Sequence, residues 1–254
     1  CTTWSDAYFI YEDGHSHCYS CDTTTLPSST TEASTPSRYS FEYLPYSGVS
    51  KSTMEYCGLR TAIDSSGKPR YIESTFIDPE GKKGIQKRYL DKKSFSGEDM
   101  SGPRLFFAGK FEGGGRRITV VEGSKDAASV VEMNGKYPVV SVVSSTSAKK
   151  DLAAFKDFIN SFDEIVLCFD SDDPGMKATK ACYSLFDHKK VRVVDMTLYN
   201  DPNEYLVNNQ KQAFKSQWFA ASRYQRDDII SSFSDVKKAL EENKDKPSVS
   251  LPFP

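Results

Sequence analysis

The chain has 254 residues and a formal net charge of −2, with 27% charged and 38% hydrophobic residues that include 16 Phe and 14 Tyr. That aromatic load excludes a wholly disordered chain, and no apolar run approaches the ~18–20 residues that cross a bilayer, so no membrane partner is expected. Near-zero charge argues against a generally basic nucleic-acid coat, yet 33 Lys and Arg leave room for a local basic patch.

Residues 1–21 mix cysteine, histidine and aromatics. Cys18-Tyr19-Ser20-Cys21 is a knuckle that can present two thiolates to one zinc ion. Cys1 stands before it at the distance a ribbon uses for the hairpin between its two knuckles. A fourth ligand is needed, either a cysteine three residues before Cys1 and outside this chain, or His17 or His15. Because the first residue is Cys and not Met, truncation is the favoured expectation, with Cys1, Cys18 and Cys21 as Zn2+ ligands. A segment this polar has no core of its own and would fold around metal. Cys57, Cys168 and Cys182 are scattered and read as buried small hydrophobes. This is no disulfide framework, and it fits a reducing, intracellular compartment.

Ser, Thr and Pro dominate 22–38, which reads as a flexible linker. Apolar residues return over 39–115, expected as a small, basic α+β subdomain. From Gly81 to Arg117 ten Lys or Arg stand against four acidic residues, a local charge of +6. Gly113-Gly114-Gly115 resembles a phosphate cradle but reads better as the turn before a strand.

Over 116–200 the pattern is regular. Strands are expected at Arg117–Val121, Pro138–Val143, Glu164–Phe169 and Val191–Met196, and helices at Ser124–Met133, about Ala148–Ser161 and about Pro174–Phe186. β-branched strands alternating with helices of this length imply right-handed crossovers and a parallel sheet covered on both faces. Residues 201–243 are expected to be helical, and 244–254 linker-like.

Ligands bind beyond the carboxyl ends of parallel strands. Glu122 ends one strand, with Asp126 one turn into the next helix, and Asp170, Asp172 and Asp173 end another. Five carboxylates at one sheet edge repel unless a cation joins them, and oxygen-only donors suit Mg2+ or Mn2+ completed by waters and phosphates. The competing reading makes Asp172 and Asp173 helix caps before Pro174.

The motifs Val121-Glu122-Gly123-Ser124-Lys125-Asp126 and Phe169-Asp170-Ser171-Asp172-Asp173-Pro174-Gly175 resemble the Toprim domain shared by primases, topoisomerases and some nucleases. The resemblance implies that Glu122 is an acid–base residue and that Asp170 and Asp172 hold divalent metal, with Glu122 beside them. Asp201-Pro202-Asn203-Glu204 resembles the D-x-N-E element of the primase branch. Ser144-Ser145-Thr146-Ser147 departs from the glycine-containing turn of related primases.

A zinc ribbon, a linker and a Toprim domain in this order resemble the primase half of the bifunctional primase–helicases of T-odd podophages. Gln86-Lys87-Arg88 and Lys92-Lys93-Ser94-Phe95 match that family's basic segment, while Leu105-Phe106-Phe107 stands where it has Leu-Phe-Gly. The resemblance implies synthesis of short RNA primers from ribonucleoside triphosphates on a single-stranded DNA template. Lys87, Arg88, Lys93 and Asp126 would bind nucleotide or nucleic acid. Asp13 and His15 would read the template, with His15 equally readable as a structural residue of the hairpin. It further implies a replicative helicase domain in the full-length chain, a DNA polymerase partner, and the cytoplasm of a phage-infected bacterium. No GxxxxGK[ST] sequence occurs, so no helicase motor is expected in this chain. A Toprim-type nuclease or topoisomerase-related module, or a primase-inactive template-binding and helicase-loading module, are the alternatives.

Overall fold

The computed structural model describes residues 8–11, 15–18, 23–25 and 39–223. Cys1, Asp13 and Cys21, most of the expected linker, and the expected C-terminal features beyond 223 lie outside the described residues.

In chain order the elements are β1 (Tyr8–Ile10), β2 (Ser16–Cys18), β3 (Thr23–Thr25), β4 (Ser40–Glu42), α1 (Lys51–Cys57), β5 (Arg60–Ile63), β6 (Pro69–Ile77), β7 (Lys83–Tyr89), β8 (Phe95–Glu98) and β9 (Leu105–Phe106). There follow β10 (Arg117–Val121), α2 (Ser124–Asn134), β11 (Val139–Ser141), α3 (Ala148–Ala154), α4 (Lys156–Asn160), β12 (Glu164–Cys168), α5 (Asp173–Tyr183), β13 (Val191–Val193), α6 (Pro202–Val207) and α7 (Lys211–Phe219).

β10 lies at the centre of a parallel group, flanked by β11 and β12, with β13 outside β12. Alternate residues of its run face different cores. Ile118 and Val120 join one cluster with Leu152, Ile159 and Cys182, while Val121 joins the other with Val130, Tyr205 and Trp218. Helices therefore cover both faces, which is why these strands are apolar at almost every position rather than at every second one.

The expected helix over 148–161 is two helices. Phe155, at φ −106° and ψ 20°, ends α3 and begins α4. Leu152, Phe155, Ile159 and Phe162 keep helical spacing through the break and share one core, so the apolar pattern carries no sign of it.

The parallel group does not stop at its edge. Phe106 of β9 pairs antiparallel with both Ser141 of β11 and Phe76 of β6, joining the two regions into one continuous sheet. β6, β7 and β8 continue it antiparallel, with β5 and β4 branching from β6. At its far edge β1 pairs parallel with β8, Phe9 opposite Phe95, and leads into the antiparallel β2 and β3.

Just after β9, Phe107 holds a left-handed backbone at φ 72°. Its ring stacks on Phe106, with centroids 4.9 Å apart, and meets Tyr56 and Phe111 edge-on. These contacts retain a bulky residue where the resembling family has glycine.

Candidate active site

β10 and β12 are hydrogen-bonded neighbours with Val121 opposite Cys168, so Glu122 and Asp170 emerge at the same end of adjacent strands. Asp126 sits in the first turn of α2 and is buried. Gly123 lets it approach, since a Cβ there would stand 3.0 Å from Asp126 Oδ2.

Asp172 caps α5, its Oδ1 accepting the Gly175 N–H at 2.8 Å, and it remains exposed. Asp172 thus realises the capping reading and also lines the cavity described below, whereas Asp173 is the first residue of α5 and does not line it. Asp201 caps α6 in the same way, accepting the Glu204 N–H at 2.7 Å. The two cap loops are tied together, with the Ser171 N–H donating to the Asn200 carbonyl and the Ser171 hydroxyl to Asn200 Oδ1, each at 3.0 Å. Asp201 was legible only as part of a motif, and its place among the carboxylates is a finding of the fold.

These loops wall one side of a cavity of about 960 Å³. Glu122, Asp126, Asp170, Asp172 and Asp201 all face it. Arg88, Lys92 and Lys93, from β7 and the turn after it, line it as well. The Arg88 guanidinium lies 5.1 Å from the Phe95 ring centroid, beside Phe9 of β1. A cationic wall thus meets a carboxylate wall across one cavity.

A Toprim-like family model matches residues 119–206, which hold the whole acidic wall. A curated helicase/primase of enterobacteria phage T3 is 29% identical over 98% of this chain, and the chain spans about half that protein's length, 47%. The primase fragment of the bacteriophage T7 primase-helicase superposes with a TM-score of 0.63 at 29% identity, covering 84% of this chain and 94% of that one. The primase domain of bacteriophage T7 gp4, in a structure with lagging-strand DNA polymerase, an RNA/DNA hybrid and dTTP, gives a TM-score of 0.65 at 30% identity. It covers 74% of this chain and 95% of that one. The chain belongs to the primase part of the phage primase–helicase family.

Around this cavity, the basic residues of the chain separate into two groups. Arg88 and Lys93 reach the cavity, whereas Lys87 does not line it. Neighbouring residues of a strand point to opposite faces, and the Lys87 ammonium lies 3.5 Å from Glu98 and 5.7 Å from the Tyr71 ring centroid. Much of the local +6 is likewise spent elsewhere. Arg104 is buried beside Asp78, Lys110 covers the Tyr56 ring, and Arg117 pairs with Glu164 and lies over Trp218. Gly113 to Gly115 form the turn before β10, where the Gly114 N–H donates to Ser161 Oγ at 2.6 Å. His15 stacks on Tyr11 within the hairpin, with centroids 4.1 Å apart.

The serine loop after β11 keeps a wall of the cavity through Ser144. Buried Asp151 holds it in place, accepting from Ser147 Oγ at 2.6 Å and from the Val143 N–H at 3.2 Å. Burial raises the Asp151 carboxyl to about 6, against these hydrogen bonds.

In the acidic wall, burial foremost raises Asp170 to about 9, and Asp126, Glu122, Asp201 and Asp172 add to it. Burial also raises Asp126 to about 7, with Lys125 opposing and Asp201 reinforcing the shift. Burial works against the charge of Lys125, yet Asp126 and Asp201 outweigh it and the ammonium is favoured. Asp170 Oδ1 is buried and accepts no hydrogen bond among the described residues.

A divalent cation fits this donor set, relieving carboxylates that otherwise hold protons. Among the described residues no three His, Cys, Asp or Glu side chains close around a single point. The three core cysteines are buried thiols as expected, with burial pushing Cys57 and Cys182 up to about 12 and Cys168 well up.

Proposed function

We propose that this chain is the primase module of a phage primase–helicase and makes short RNA primers on single-stranded DNA from ribonucleoside triphosphates. One observation carries the reading: the carboxylates at the ends of two adjacent parallel strands face Arg88, Lys92 and Lys93 across one cavity. A cationic wall follows phosphates, and a carboxylate wall gathers divalent metal for the reacting triphosphate.

Asp170 and Asp172 hold Mg2+ or Mn2+, with Glu122 beside them, and the ion supplies charge neutralisation for the phosphates. Glu122 takes the proton from the attacking 3′-hydroxyl or orders the water that does so. Asp126 supports this wall from α2, and Arg88 and Lys93 orient the triphosphate and template, a role that Lys87 can serve only from outside the cavity. The Ser144–Ser147 loop, fixed by Asp151, shapes the nucleotide side of the cavity.

Residues 1–21 serve as part of a zinc ribbon, with Cys1, Cys18 and Cys21 holding Zn2+ and with Asp13 and His15 reading the template. The chain divides into that ribbon, a linker expected over 22–38 whose first residues instead form β3 against β2, a basic subdomain over 39–115, the Toprim domain over 116–200 and a C-terminal helical segment over 201–243, whose α6 and α7 pack into the core. The bacteriophage T7 primase domains of known structure interact with a lagging-strand DNA polymerase, which supports a polymerase partner here alongside a helicase domain. The setting would be the cytoplasm of an infected bacterium, and no helix among the described residues is long and apolar enough to cross a membrane.

Incubation with labelled single-stranded DNA, ribonucleoside triphosphates and Mg2+ tests the reading. Nucleotide incorporation supports it, and DNA cleavage without incorporation replaces it with a Toprim-type nuclease.

A further inference from the structure

Lys125 brings a fixed positive charge into the carboxylate wall. It stands in the first turn of α2, and its side chain is 20% exposed and lines the cavity. Its Nζ lies 3.4 Å from Asp201 Oδ2 and 3.9 Å from Asp126 Oδ1. The two carboxylates belong to different elements, the first turn of α2 and the cap of α6, so the ammonium joins them across the fold. Asp126 is only 6% exposed, and its Oδ1 accepts no hydrogen bond among the described residues.

A divalent ion bridging Asp126 and Asp201 would stand between the same two carboxylates. An ammonium is a compact charge with three donors and offers no open coordination position to a phosphate or a water. It neutralises the pair without acting as a metal. Both cations cannot occupy that space, and the side chain is covalently held there.

We propose that the Lys125 ammonium is a tethered cation that takes the place of one divalent ion between Asp126 and Asp201. Divalent metal is then confined to the side of the wall formed by Glu122, Asp170 and Asp172. The inference rests on reading that wall as the metal-holding part of the site. It gives this chain a lower requirement for divalent metal than a wall without the lysine would have, and it fixes the geometry of Asp201 before nucleotide arrives.

Mn2+ binding to the whole chain, counted by electron paramagnetic resonance and calorimetry, tests it without any activity assay. Lys125→Met removes the charge and keeps the apolar stem. The variant is expected to gain one Mn2+ per chain or to bind Mn2+ at least about tenfold more tightly. Asp201→Asn is expected to change Mn2+ affinity by less than about threefold with Lys125 present, and by about tenfold or more in the Lys125→Met background.

Equal stoichiometry and affinity in wild type and Lys125→Met, or weaker binding in the variant, overturns the proposal. So does a tenfold loss from Asp201→Asn alone, a result that does not depend on Lys125→Met folding. Asp170→Asn separates the two readings. If it leaves Mn2+ binding untouched, the metal assignment of the wall fails. If it abolishes binding while Lys125→Met changes nothing, only the tethered cation fails.

Discussion

Gly175 of α5 packs so closely against Asp170 that a Cβ at this position would overlap the Asp170 carbonyl oxygen. The same glycine donates its N–H to Asp172 at 2.8 Å. One residue without a side chain therefore sets the positions of both carboxylates assigned to metal.

Gly175→Ala should displace the Asp170 backbone, because the clash is with main chain that cannot rotate away. Overpacking of this kind costs about 1–3 kcal/mol. The expected outcome is a lower Tm together with loss of Mg2+-dependent primer synthesis. Thermal melts and a primer assay on the same preparation check it, and wild-type behaviour in both would contradict the geometry.

The acidic wall also predicts a pH signature of stability. In chelator, folded Asp170 and Asp126 hold protons to about 9 and about 7, whereas an unfolded aspartate releases its proton near pH ~4. The folded state binds more protons across that window, so stability should fall as pH rises through it. Bound Mg2+ favours the ionised carboxylates and should flatten the fall. Melts from about pH 5 to pH 9, with chelator and with excess Mg2+, compare the two slopes. Identical slopes would contradict a cation-binding wall.

Phe107 sets backbone strain against packing. Its left-handed backbone costs about 1–3 kcal/mol, and truncating a buried Phe costs about 3–5 kcal/mol. Phe107→Gly, which restores the family's residue, should therefore destabilise by about 2 kcal/mol, less than a typical buried aromatic. Denaturant unfolding measures it, and a gain in stability would show that the ring contacts with Phe106, Tyr56 and Phe111 contribute little.

The parallel sheet and its acidic ends were open to sequence reading because both depend on local pattern. Arg117–Val121 and Glu164–Phe169 are short, mainly apolar runs, each followed directly by an acidic residue, and a parallel sheet places those stops together. What could not be read depends on contacts between distant segments. The two-residue β9 has no pattern of its own, yet it joins the sheet through Phe106. A count of basic residues cannot separate Arg88, which faces the cavity, from Lys87, which faces Tyr71 and Glu98, or from Arg104, which is buried. Lys125 lay inside a recognised motif, but its role appears only when α6 brings Asp201 to it.

De novo dinucleotide synthesis on single-stranded DNA, from ribonucleoside triphosphates and Mg2+, tests the central claim most directly. The account predicts synthesis by the wild-type chain and a fall of about 100-fold or more in Asp170→Ala. Undiminished synthesis by Asp170→Ala or Asp172→Ala would contradict it.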